Sequence, residues 1–423
     1  MAVRMNSFFK DNKILNDNQY GFRTKHSTEL AVIQFSQQIL DNFNEKILTM
    51  GIFIDLSKAF DVIDHEILLQ KLTAYGIRGV ALSWFNSYLK DRYQYVTLDG
   101  CKSTNLLINN GVPQGSILGP LLFTVFINDL PKVSDKINFL LYANYTNFFF
   151  NVKDPHKDQP LIDSNLQAVT SWFTSNKLAI NYSKSSYMIF GPKILTNAIP
   201  NLNLTLNNIA IPRVHSLKFL GVIIKDNLSW DLHISEISKK INKILGILHK
   251  IKYKINNEIM INLYYTMIYP NIIYCNLLWG NSPATHLQLI SKCQNRFIRL
   301  LLNLHPHTHT SNYYPTLKIL NIQNINKYLS SIFTFKFLHN LLPNFFTDFF
   351  IFNELSETRI LRYTPQFKIN QPRIKLMSLS IKYNGPRIWM TIVPQEIKNI
   401  NSLHQFRNKL KEFLIMKGTF SLN

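Results

Sequence analysis

The sequence predicts a mixed α+β front half followed by an all-α rear half. Short apolar runs of strand length, such as 50–56 and the pair inside 139–150, are interleaved with helical patterns up to about residue 230. From about 234 onward the apolar residues fall at helical spacing. No long Gly/Ser linker, repeat or low-complexity tract separates the halves, so composition alone marks no hinge.

Taken in order, residues 5–20 read as a helix that ends in the polar turn "NDNQYGFR" at Gly21. An amphipathic helix over 27–47 follows, with Ser27 or Thr28 as its cap and Leu30, Ile33, Ile39, Leu40 and Phe43 on one face. "MGIFIDL" (50–56) is short and rich in Ile and Phe, which favours a buried strand. Helices are expected over about 64–75, closing at Gly76, and over 80–90. "YQYVTLDG" (93–100) alternates as a strand running into an Asp-Gly turn. In "NGVPQGSILGPLLFTVFINDLP" the Gly- and Pro-bearing first half must be a loop, and the second a helix stopped at Pro131. A hairpin over 139–150, a helix over 161–178, the strand "SYMIFG" and a strand pair around Gly221 complete the front half. In the rear, Ile234, Ile237, Ile241, Ile244, Leu248 and Ile251 form one apolar stripe, flanked by Lys239, Lys240, Lys243 and Lys250. The tail, 300–423, reads as helical patches joined by polar connectors that contain proline.

The chain has 423 residues, about three domains' worth at ~150 residues each. At 46% hydrophobic it can bury real cores, which excludes a disordered polymer. A formal net charge of +21, spread along the whole chain, points to an anionic partner, and nucleic acid fits better than a membrane surface. Cys101, Cys275 and Cys293 fit neither a disulfide framework nor a CxxC zinc site, so a reducing, intracellular setting, nuclear or cytoplasmic, is expected. The first 15 residues lack a signal-peptide core, and the apolar stretches 137–152 and 332–352 are too interrupted to span a membrane. The excess of Asn, Ile, Lys, Phe and Tyr follows A/T-rich codons and belongs partly to the genome.

Few residues carry chemistry. Asp55, in "FIDLSKAFD", ends an apolar strand, where its carboxylate could reach a metal or simply cap the next turn. Phe60, six residues into the turn that leads away, is either core or a wall for a sugar edge. "GVPQGS" is more specific: Gly111, Pro113 and Gly115 fix a tight loop, Gly115 allows a close approach, and Gln114 offers its amide to a ligand. No Walker-type lysine accompanies it. His305, His307 and His309 in "HPHTHT" match no familiar zinc spacing.

The blocks "QYGFRTKHST", "FIDLSKAFD", "GVPQGSILGPLLF", "LYANYTNFFF", "NKLAINYSKSSYMIF" and "FLGVII", in this order, resemble the reverse transcriptase of non-LTR retrotransposons, of the jockey-like group. The resemblance is specific to about residue 230 and looser beyond. It implies a right-hand polymerase: partial fingers (1–50), a palm with an antiparallel sheet and fingers elements (51–230, the reverse transcriptase domain being 1–225), thumb-like helices (231–300) and a helical C-terminal region (301–423). It implies an RNA template, a DNA primer, deoxynucleoside triphosphates and Mg²⁺ or Mn²⁺, with no membrane and no obligate protein partner inferable.

By the resemblance, Asp55 matches the first metal-binding aspartate, Phe60 the aromatic gate against a ribose 2′-hydroxyl, and Gln114 and Gly115 the loop at the incoming nucleotide and template. Arg23 and Lys25 fall in the fingers block that holds the triphosphate. Lys184 matches a palm lysine near the triphosphate that can give pyrophosphate a proton. For both lysines the alternative is a solvated surface charge. Lys239, Lys240, Lys243 and Lys250 would lie along the phosphates of a primer–template duplex. Two further carboxylates come in the family from a Tyr-Ala-Asp-Asp turn, whose positions here hold Tyr142, Ala143, Asn144 and Tyr145. Each replacement is one base from an aspartate codon. An amide has no charge to hold a dication and a phenol stays protonated at neutral pH, so little or no polymerisation is expected. The hairpin itself is expected to form on Leu140, Leu141, Phe148 and Phe149. Family proteins begin with an endonuclease domain and a fuller fingers region, so the resemblance implies a 5′-truncated copy. The alternatives are a non-catalytic basic nucleic-acid-binding protein and a relic open reading frame.

Overall fold

The computed structural model describes residues 1–192, 196, 199, 202–353, 367–369 and 371–420. Its contacts separate two units, Met1–Ala31 with Ile47–His215, and Val32–Lys46 with Ser216–Asn423.

The first unit is built on a four-stranded sheet in the order β6-β7-β1-β8, every neighbouring pair antiparallel. Its strands are β1 (Leu48–Asp55), β6 (Asn138–Tyr142), β7 (Tyr145–Val152) and β8 (Ser186–Phe190). β1 is central, and every residue before Asp55 is buried, which explains its unbroken apolar run. Helices α1 (Ala2–Asp11), α3 (His65–Ala74), α4 (Gly79–Leu89), α5 (Leu118–Phe126) and α6 (Gln159–Ser175) contribute Phe9, Leu68, Leu72, Phe85, Leu122 and Leu166 to one core with Ile52, Phe148 and Ile189. Each such side chain contributes roughly 1.5–3 kcal/mol by leaving water. Asp64 starts α3 as a cap, its carboxylate accepting from the backbone of Glu66 and Ile67.

Two elements depart from expectation. The first helix ends at Asp11 rather than continuing to 20, because residues 18–20 leave it to bond the edge of β6. The stretch 93–100 is not one strand but two exposed pieces, β2 (Arg92–Gln94) and β3 (Thr97–Leu98), paired with β5 (Leu106–Ile108) and β4 (Cys101–Lys102). The Asp-Gly turn does form between β3 and β4, with φ of 46° at Asp99 and 83° at Gly100.

In the second unit, strands Ser216–Phe219 and Val222–Lys225 pair around the expected turn, with φ of 86° at Gly221. The helix Asp231–Ile251 packs on Ala284–Leu302, and Ile322–Leu338 packs on Ile381–Ile392 and Leu403–Phe420. The buried stripe of the first of these is Ile234, Ile237, Ile241, Leu245 and Leu248. Leu245 replaces Ile244, which is only half-buried, as is Ile251; the straight stripe drifts around a long helix. The parts of the expected helical tail at 354–366, 370 and 421–423 lie outside the described residues.

Candidate active site

Asp55 closes β1 opposite Tyr145, the first residue of β7, so the strand end and the hairpin turn lie side by side. The turn between β6 and β7 has two residues, Ala143 and Asn144, and Ala143 adopts φ 52°. Ala143 is buried, Asn144 half-buried and Tyr145 exposed. Leu140, Leu141, Phe148 and Phe149 are all buried, as the hairpin requires.

The turn is braced by the segment around Gly21. Tyr20 donates its backbone N–H to Leu141 at 2.8 Å, and Leu141 donates to Asn18 at 2.8 Å. A Cβ on Gly21 would stand 2.6 Å from the Ala143 nitrogen, so only glycine fits there. The buried Gln19 carboxamide accepts from the Gly21 N–H at 2.7 Å. No sequence rule pointed to Gln19, because a buried glutamine in a polar turn looks like any loop residue. Burial pushes the Tyr20 phenol well above its usual range and holds the neighbouring His26 below its own.

The other flank of Asp55 is the segment 179–184. Asn181 donates its backbone N–H to the Asp55 carbonyl at 2.9 Å and its amide to the carboxylate at 3.5 Å. The Lys184 ammonium stands 3.5 Å from the same carboxylate oxygen. Asp55 and Lys184 are thus brought together, with Asn144 and Tyr145 across the sheet. Asn181 is a neighbour that the sequence did not single out.

"GVPQGS" is tied to the turn after Asp55. Gly111 donates to Ile63 at 2.7 Å, Val112 to Phe60 at 2.9 Å, and the His65 ring meets the Gly111 carbonyl at 2.7 Å. The close approach is at Gly111, where a Cβ would lie 2.7 Å from the Asp61 carbonyl oxygen; Gly115 has φ 78° but open space around it. The Gln114 amide donates to the Asp61 carboxylate at 2.7 Å. Phe60 is half-buried, its ring 4.7 Å from that of Phe123 and 6.4 Å from Phe22.

Arg23 is turned toward its own loop, donating to the carbonyls of Asn16 at 2.6 Å and Gln19 at 3.3 Å. Lys25, two residues on, adopts φ 64°. Of the other acids, Asp129 is engaged by Lys71 at 2.6 Å and Trp172 at 3.2 Å, while Asp135 is an exposed partner of Lys136. Lys239, Lys240, Lys243 and Lys250 are exposed on Asp231–Ile251, in the second unit. Among the described residues no group of three His, Cys, Asp or Glu is placed to hold a metal ion, His305 and His307 included.

The family model described as reverse transcriptase (RNA-dependent DNA polymerase) matches residues 1–224. The chain belongs to this family. It is similar to the probable RNA-directed DNA polymerase from transposon X-element of Drosophila melanogaster, 25% identical, over 78% of this chain and 37% of that protein. It is 26% identical to the RNA-directed DNA polymerase from mobile element jockey of Drosophila funebris, over 72% of this chain and 34% of that one. The chain thus spans about a third of the length of these curated relatives. Among solved structures it is similar to telomerase from Candida albicans in complex with a TWJ fragment of telomeric RNA, with 10% identity, a TM-score of 0.41 and coverage of 74% of this chain and 55% of that one. The reverse transcriptase match contains Asp55, Gln114, the hairpin turn and Lys184. No described helix of the chain is long and apolar enough to cross a membrane.

Members of the family generally use divalent metal ions. The donors at this site are one carboxylate, one amide and one phenol, with an ammonium 3.5 Å from the carboxylate. Mg²⁺ takes charged oxygen donors and holds few protein ligands, so each lost carboxylate weighs heavily. The residues present do not fit a pair of dications.

Proposed function

We propose that this chain is an RNA-directed DNA polymerase by fold that binds primer and template but is impaired in nucleotidyl transfer. The observation that carries the proposal is the charge at the turn: Asn144 and Tyr145 stand beside Asp55, and Lys184 supplies the nearest cation. Two-metal transfer needs clustered negative charge to hold ions about 4 Å apart. Here the local charge is that of one carboxylate, offset by one ammonium. Gln114 and Gly115 stay at the nucleotide loop, Phe60 beneath it, and Lys184 near the triphosphate. Arg23 braces the fingers segment, and Lys25 on the same loop remains the triphosphate contact.

The test is primer extension on an RNA template with Mg²⁺ or Mn²⁺, beside the double variant Asn144→Asp/Tyr145→Asp. The expected result is no extension by the natural chain and measurable extension by the variant. Extension by the natural chain at a rate matching the variant overturns the impairment. A second reading, a basic nucleic-acid-binding protein without chemistry, is favoured by the net charge of +21. It gains if the double variant stays inactive yet binds an RNA–DNA duplex with steep salt dependence.

A further inference from the structure

The second unit contains a cavity of about 360 Å³ that the polymerase reading leaves unexplained. Its walls are apolar: Ile33, Leu40, Leu228, Trp230, Leu277 and Ile381 among them. Three polar side chains also line it, Ser36, Ser282 and His286. The Ser36 hydroxyl, the Ser282 hydroxyl and His286 Nδ1 are each buried and have no hydrogen-bond partner. Ser36 is 1% exposed and Ser282 7%.

Unpaired buried polar atoms are uncommon, and each costs about 1–3 kcal/mol of desolvation that a bound partner would recover. Three of them around one apolar hollow is the pattern of a ligand pocket: greasy walls with a few placed polar groups. A hydroxyl both donates and accepts, and the imidazole nitrogen does either according to its tautomer, so the set suits a ligand hydroxyl, carbonyl or amide. No Asp or Glu lines the cavity, and its one charged lining residue is Lys375, exposed. A cationic ligand would find no counter-charge there. For scale, an apolar cavity of about 150 Å³ holds a benzene, so this one takes roughly two rings.

We infer that this cavity is a binding site for a compact, uncharged amphiphile: a body of about two rings carrying a hydrogen-bonding group. The inference is independent of the proposed function, since every lining residue belongs to the second unit and none is a candidate site residue.

The probes are 2-naphthol and naphthalene, which differ by one hydroxyl, titrated by calorimetry into the full chain. The expected result is one 2-naphthol per chain, bound at least tenfold more tightly than naphthalene. Leu278→Trp, which fills the cavity from its wall, should abolish binding while far-UV circular dichroism stays unchanged. The pair Ser36→Ala and Ser282→Ala should bring the two probes to within about twofold of each other. That pair decides the matter alone if Leu278→Trp does not fold. Absence of saturable 2-naphthol binding by the folded chain overturns the inference. So does binding that is indifferent to the probe's hydroxyl and to both serines.

Discussion

Gly111 and Gly115 have similar backbones and different surroundings, which separates two reasons for a glycine. Both have positive φ, 86° and 78°, so any side chain at either is strained by about 1 kcal/mol. At Gly111 an added methyl would also meet the Asp61 backbone, with its nearest three atoms at 2.7–2.9 Å, whereas at Gly115 it meets nothing within 4 Å. Backbone cannot step aside as a flexible side chain can. Gly111→Ala should therefore cost about 2 kcal/mol or more beyond Gly115→Ala, read as a difference in urea unfolding midpoints at constant slope. Equal costs would mean that the loop is not held against Asp61. This distinction was not legible in "GVPQGS", where spacing shows a tight loop but not which glycine touches a neighbour. The same limit applies to Arg23: the sequence gives a guanidinium in a fingers-like block, while its direction depends on carbonyls at Asn16 and Gln19.

At the scale of an element, the helix Asp231–Ile251 is held to its unit partly by a histidine that cannot easily take a proton. His233 is buried, accepts from the Ile223 backbone N–H at 3.3 Å, and lies edge-on to Trp279. Burial, with Lys240 and Lys218 adding repulsion, pushes its pKa down to about 4. In the unfolded chain the ring titrates near 6.5, so below that pH the unfolded state binds the extra proton. The stability His233 contributes is thus full above about pH 7, declines as pH falls through 6.5, and is lost by about pH 4, some 2–3 kcal/mol in all. His233→Gln should flatten the natural chain's stability profile between pH 7 and 4, measured as ΔG by denaturant at each pH. An unchanged slope would show that the ring is hydrated in the folded state. The helix itself was legible because its apolar period repeats over 21 residues; the buried side chain at 233 was not, since one histidine breaks no pattern. The ribbon 92–108 failed for the opposite reason. Its alternation suggests a buried face, yet Tyr93, Val96, Leu98 and Leu106 are all exposed, and only tertiary neighbours decide burial.

For the whole molecule, family membership was legible because six blocks in order constrain one another, and the central strand and hairpin they mark do pair. The same blocks exposed the missing acids, since a motif defines an absence as sharply as a presence. Activity and grip then separate physically: the first depends on charge at one turn, the second on charge spread over the chain. With a net charge of +21, association with duplex should be largely phosphate-driven. Lys239, Lys240, Lys243 and Lys250 are exposed on one helix, with no carboxylate partner among the described ion pairs. If all four meet phosphates, replacing them with alanine should lower the slope of log K against log salt by about 3–4. The loss should be uniform across duplex sequences, because phosphates carry no sequence information. It should also appear equally in the Asn144→Asp/Tyr145→Asp background, where the turn regains its acids but the helix is untouched. Duplex binding by fluorescence anisotropy from about 50 to 300 mM salt reads all three at once. A slope unchanged by the four substitutions would move the grip to other lysines and remove this helix from the nucleic-acid surface.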